Sequence, residues 1–198
     1  MAKFTELHTL VSAYAPNVPD FVAGNAIREA ARRFFRATRA YTVSIDIPFC
    51  AGLALAEIDL FDDAIEVVST LKVDTLEKID HDKDTTTTGT PRYFTGEDRR
   101  NIKVYPIPNA DLVLCATIAV RPTFTATELP DEVVSENEEA LRYGALEILK
   151  AQVATEWHSP EEIRYYGNLF TQQINQKRID IHKRYIESPL TIKLRPYP

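Results

Sequence analysis

Five arginines crowd one stretch of the chain. Arg28, Arg32, Arg36 and Arg39, with Arg33 close by, recur at helical spacing between Phe21 and Ala40. A guanidinium is permanently charged and presents a rigid fork of donors that fits a carboxylate or a phosphate. Two chemistries follow. The arginines can form a solvated face or pair, within or between subunits, with Glu136, Glu138, Glu139 or Glu147 of a later helix. They can instead bind a phosphate backbone, which would make the chain a DNA-binding module using the helix over 21–40. The net charge of −6 argues against nonspecific wrapping of nucleic acid, although a local basic face remains compatible with it.

Other residue types that do chemistry are present without the spacing that chemistry needs. His8, His81, His158 and His182 form neither HExxH nor another zinc-like pattern. His182 lies among Arg and Lys near a helix end, where a solvated role is expected. Asp80, Asp82 and Asp84 mimic the opening of a calcium loop, but Thr85 stands where that loop needs glycine and Pro91 where it needs the bidentate glutamate. The glycines form no phosphate-cradling loop, and GxSxG is absent. Scattered carboxylates leave a tail-borne cell-wall glycan hydrolase as the enzymatic alternative, with no spacing rule pairing two of them across a cleft. Cys50 and Cys115 form no CxxC and sit in apolar surroundings, so both read as reduced core residues. Trp157 beside His158 reads as a packing anchor at a turn. The residues therefore predict no enzyme, no cofactor and no metal.

The elements that position these residues come from the periodicity. With 44% apolar and 26% charged residues in 198, the chain has the composition of one globular domain, or a domain with a large insertion. No stretch approaches the roughly 20 apolar residues that span a bilayer. The opening MAKFTELHTLV lacks the apolar run of a signal peptide, so synthesis in the cytoplasm is expected. Apolar residues at three- and four-residue steps predict helices over about 3–15, 19–40, 130–155 and 159–186. Ala140 and Gly144 make a small-residue ridge that lets another helix come close. Ser159-Pro160-Glu161-Glu162 looks like a capping box.

Between the two helix pairs the period changes to two. Tyr41–Ile47, Leu53–Leu60, Ile65–Val73, Pro91–Phe94 and Asn101–Tyr105 predict short strands, with Ile79 as a hairpin partner. In Asp111–Arg121 both faces are apolar, which places that strand in the middle of the β layer. The expected fold class is α+β: an antiparallel helical bundle with a small antiparallel β sandwich or barrel inserted over about 41–123. The expected units are 1–40 with 129–187 as the bundle, 41–128 as the β domain and 188–198 as an extended arm. In that arm Leu190, Ile192 and Leu194 alternate with Thr191, Lys193 and Arg195, ahead of Tyr197. A strand without a hairpin partner must join a sheet edge, its own or a neighbour's.

A family resemblance rests on several of these segments. FTELHTLV, NVPD and AIREAARRFFRAT resemble the N-terminal pattern of head-to-tail adaptor (connector) proteins of tailed bacteriophages. AGLALAEIDLFDDAIEVVSTLKV, the GTPRYF hairpin and LPDEVVSENEEALRYGALEIL are similar to its continuation. The likeness covers nearly the whole chain and points to the tail tubular A type of short-tailed phages. The smaller all-helical connectors of long-tailed phages lack the inserted β unit. The resemblance implies a structural virion protein at the head–tail junction. It implies a homo-oligomeric ring, usually of twelve copies, between the portal protein and a downstream tail or nozzle protein. DNA would pass the channel without specific binding, and no membrane would be involved. It also implies that the bundle forms the ring wall and that the arm grips the portal. Interface residues would then be Arg28, Arg32, Arg36 and Arg39 on the helix, with Leu190, Ile192, Lys193, Leu194, Arg195 and Tyr197 on the arm.

Overall fold

The computed structural model describes residues 1–79, 87–96 and 99–185. The arm over 188–198, with all six of its expected interface residues, and the Asp80/Asp82/Asp84 loop lie outside the described residues. The fold is mixed α+β. In chain order it runs β1 (Ala2–Lys3), a 3-10 turn (Glu6–His8), α1 (Thr9–Ser12), α2 (Asp20–Thr38), β2 (Thr42–Phe49), β3 (Leu55–Glu57) and β4 (Ile65–Val73). It continues with β5 (Glu77–Lys78), β6 (Thr88–Gly89), β7 (Tyr93–Thr95), β8 (Asn101–Tyr105), β9 (Ile107–Pro108), β10 (Leu112–Pro122) and β11 (Glu128–Leu129). The helices α3 (Asp131–Ser135), α4 (Glu138–Lys150) and α5 (Pro160–Tyr185) close it.

The helical layer has its own core, in which Ile27, Phe34, Phe35, Leu141, Leu146 and Leu149 are fully buried. α4 packs against both α2 and α5. The expected small-residue ridge is what permits this. A Cβ added to Gly144 would lie 2.8 Å from Phe170 and 2.9 Å from Ala30. The buried face of α2 is wider than its periodicity predicts. Ala26, Ala30 and Phe34 recur at four-residue steps along one stripe, and Ile27, Ala31 and Phe35 are buried beside them, because α2 is covered by helices on one side and by β10 on another.

Two helix boundaries differ from expectation. The segment over 3–15 is not one helix. Ala2 and Lys3 pair with Leu129 and Glu128, and the Phe4 N–H donates to the Thr127 carbonyl, so strand pairing holds its first residues. The helix over 130–155 is interrupted at Asn137 and stops at Lys150. The Asn137 side chain donates to the Val133 carbonyl at 2.8 Å, a local bond that competes with the helical ladder. At the start of α5, Glu162 does not complete a capping box. Its carboxylate pairs with Lys150 Nζ at 2.6 Å.

β10 lies between β2 and β4 in a three-stranded antiparallel sheet, the central place its sequence predicts. A second sheet has the order β3-β8-β7-β5. Ile47, Val73, Ile118 and Val120 of the first sheet and Phe94, Ile102 and Val104 of the second meet in one core. The ladders are not all antiparallel: β5 runs parallel to β7, and β6 to β9. Ile79 follows that parallel pair and is no hairpin partner. Only the second half of β10 is buried on both faces, where α2 contacts it. Val113 and Cys115 are exposed, because they share the parity of Asp46 and Pro48 on the open side of the ladder. The reading of the cysteines as core residues is thus corrected. Cys50 and Cys115 are both unpaired thiols, and both are exposed.

Two outcomes follow from this packing. Gly144→Ala forces α4 away from Phe170 and Ala30, and overpacking of this kind costs about 1–3 kcal/mol, read as a lower melting temperature. Partial desolvation, then the carboxylates of Asp46 and Asp74, push the Cys115 thiol up. In a Cys50→Ser variant, alkylation of Cys115 therefore accelerates at higher pH than alkylation of free cysteine, because the reactive thiolate forms later as pH rises.

Candidate functional site

The arginine helix divides into two parts with different fates. Arg32 is only 4% exposed. Its Nη1 donates to the Pro122 carbonyl at 2.6 Å, and its Nη2 meets the Glu66 carboxylate at 3.0 Å. Glu29 stands 3.7 Å from its Nε, and the Phe124 ring lies 3.5 Å from its Cζ. Glu66 is shared with Arg121 at 2.7 Å. Arg28 donates to Asn25 Oδ1 at 2.7 Å and to the Ala126 carbonyl at 3.3 Å. Arg33 pairs with Glu29 at 3.2 Å. These three arginines are engaged by their own chain. None of them meets Glu136, Glu138, Glu139 or Glu147. The carboxylate partners expected on the later helix are replaced by Glu29 of α2 itself and Glu66 of β4.

Arg36 and Arg39 differ. Both are exposed, and neither has an ion pair among the described residues. Arg39 takes a left-handed conformation, with φ 58°, as the residue that ends α2. Its amide still donates to Phe35, so the helix end is closed by the backbone. Beyond it a cleft of about 580 Å³ opens between the end of α2, Leu71 of β4 and the last turns of α5. Arg36, Arg39, Arg178 and His182 line it, and among the described residues no carboxylate does. Arg178 Nε donates to the Ala37 carbonyl at 2.8 Å, which fixes α5 against the end of α2.

A second cleft, about 490 Å³, lies on the other flank of α5, toward the start of α4. Its acids are Glu136, Glu138, Glu139 and Asp180. Lys177 stands 3.6 Å from Glu136, and Arg142 lies 3.8 Å from Glu138 and 3.9 Å from Glu139. Four carboxylates thus face two cations. Asn137 lines the same cleft at 6% exposure, and its Oδ1 is buried without a hydrogen-bond partner among the described residues.

The α5 residues use one periodicity to serve both clefts. At about 100° per residue, Arg178 and Asp180 point about 200° apart around the helix. Arg178 and His182, one turn apart, fall on the basic side, while Gln173, Lys177 and Asp180 fall on the acidic side. Sequence reasoning named Arg36 and Arg39 but missed Arg178, Asp180 and Asn137. The available signal was Asp180 standing alone among Lys177, Arg178, Lys183 and Arg184. It needed the packed face of α5 to be interpreted.

Among the described residues, no group of three or more His, Cys, Asp or Glu side chains is placed to hold a metal ion. No helix is long and apolar enough to cross a membrane. His8 and His158 contact the carbonyls of Thr5 and Lys150, at 3.0 and 2.8 Å. Trp157 packs against the helical core, and its Nε1 donates to Gln152 Oε1.

A family model described as SU10 adaptor protein matches residues 2–193. No curated protein shows significant similarity to the chain.

The two parts of the arginine helix should separate by thermal melting. Arg32→Met leaves the Pro122 carbonyl buried without its donor and should cost about 2–4 kcal/mol. Arg36→Met, at an exposed position, should stay within about 0.5 kcal/mol of the parent chain. Equal melting temperatures for the two variants would contradict the division.

Proposed function

This chain belongs to the SU10 adaptor protein family, and from that premise we propose that its copies close a ring joining the portal of a phage head to the tail. The family supports a structural virion protein that acts in tail assembly. The finer reading is ours: a ring of twelve copies, portal on one side and a downstream tail or nozzle protein on the other, in the manner of the tail tubular A type. Residues 1–40 with 129–187 would act as the ring-forming bundle, 41–128 as an inserted β sandwich. Leu190, Ile192 and Leu194 of the arm over 188–198 would add a strand to a sheet edge of the portal, with Lys193, Arg195 and Tyr197 beside them.

The observation that carries this reading is the extent of the family match. Residues 2–193 take in the helical layer, both larger sheets and the start of the arm, so the likeness is to the whole fold. The net charge of −6 suits a channel through which DNA passes without being held, because phosphate binding needs unopposed Lys and Arg. The internal bonds of Arg28 and Arg32 remove two donors from any phosphate-binding face.

Electron microscopy of the protein alone and mixed with portal tests the assembly directly. Rings seated on the portal are the expected result, and deletion of Pro189–Pro198 should weaken docking. Docking with unchanged affinity after the deletion would sink the arm.

A further inference from the structure

The two clefts beside α5 are complementary to each other. One carries three arginines and a histidine, with no carboxylate among the described residues. The other carries four carboxylates, two cations and a buried Asn137 Oδ1 that lacks a donor. We propose that the basic cleft of one copy docks on the acidic cleft of the next, with Arg36, Arg39 and Arg178 meeting Glu138 and Asp180. The inference rests on the ring reading and names the surfaces that build it.

Three observations converge. Arg36 and Arg39 are exposed and have no ion pair among the described residues, so their donors are available. Asn137 lines the acidic cleft, and its Oδ1 is buried without a hydrogen-bond partner among the described residues. A guanidinium reaching in from outside would satisfy it and relieve the cost of a buried unpaired oxygen. The third is placement. The clefts lie on opposite flanks of one helix, so a molecule cannot join its own two surfaces. A two-fold dimer centred on either cleft would set like charges against each other. Unlike charges meet when every copy offers its basic flank to one neighbour and its acidic flank to the other. That head-to-tail contact is the kind whose repetition closes a ring.

A charge swap tests it. In one variant Arg36→Glu and Arg39→Glu make both flanks acidic. In a second, Glu138→Lys and Asp180→Lys make the acidic flank basic. All four positions lie outside the helical core, and thermal melts check that each variant folds. Each variant alone should lose self-association by about tenfold or more, since like charges now face each other. Mixing the two should restore it as alternating assemblies, and sedimentation velocity with negative-stain images reads both results. Restoration by mixing cannot come from variants that failed to fold. Rings formed equally well by either variant alone would overturn the pairing and leave the ring standing. A parent chain that stays monomeric both alone and with portal would overturn the ring and the pairing together. Intact rings whose Arg36→Glu/Arg39→Glu form has lost binding to duplex DNA would assign the basic cleft to phosphate and overturn the pairing.

Discussion

A buried guanidinium ties the two halves of this molecule. Arg32 projects from α2 toward the sheet, between Pro122 at the end of β10 and Glu66 near the start of β4. Removing a cation from water is costly unless its donors and its charge are matched. Here the carbonyl, the carboxylate and the Phe124 face supply the match together. Those partners exist only when β10 and β4 hold their native register, which pairs Arg121 with Glu66 and Pro122 with Ile65. The position of the helix layer and the register of the sheet are therefore coupled. An error in one leaves a charge stranded in the other.

That coupling separates the legible parts of the sequence from the illegible ones. The extent of α5 was readable because Pro160 can start a helix and nothing in Ile163–Ile181 interrupts one. β4 and the central place of β10 were readable from their apolar runs. What could not be read depends on segments far apart in the chain. Ala2 and Lys3 form a strand only because Glu128 and Leu129 are there to pair. The arginine stripe shows a polar helix side, but not that one margin of it abuts a sheet. Cys115 looks like a core residue in an apolar strand until the register puts it beside Asp46. The basic cleft is drawn from α2, β4 and α5, so no window of sequence contains it.

Charge is sorted in space rather than along the chain. Arg36, Arg39 and Arg178 gather around the end of α2, while Glu136, Glu138 and Glu139 crowd the start of α4. Negative charge at that start is favoured by the helix dipole, and positive charge suits the end of α2. The same placement thus stabilises each helix and gives each flank its sign. In the head-to-tail docking proposed above, association would draw on the same charges that suit the helix ends.

The β unit is entered through β2 and left through β10, and these strands are neighbours, with Thr42 opposite Ala119. Two covalent crossings set side by side define one line, and the backbone alone lets the unit rock about it. What opposes the rocking is non-covalent: the Arg32 cluster, and the bond from Arg28 to the Ala126 carbonyl. Torsional stiffness between the layers is therefore governed by side-chain chemistry rather than by connectivity. A mechanical load on the β unit would be carried first by those few polar bonds.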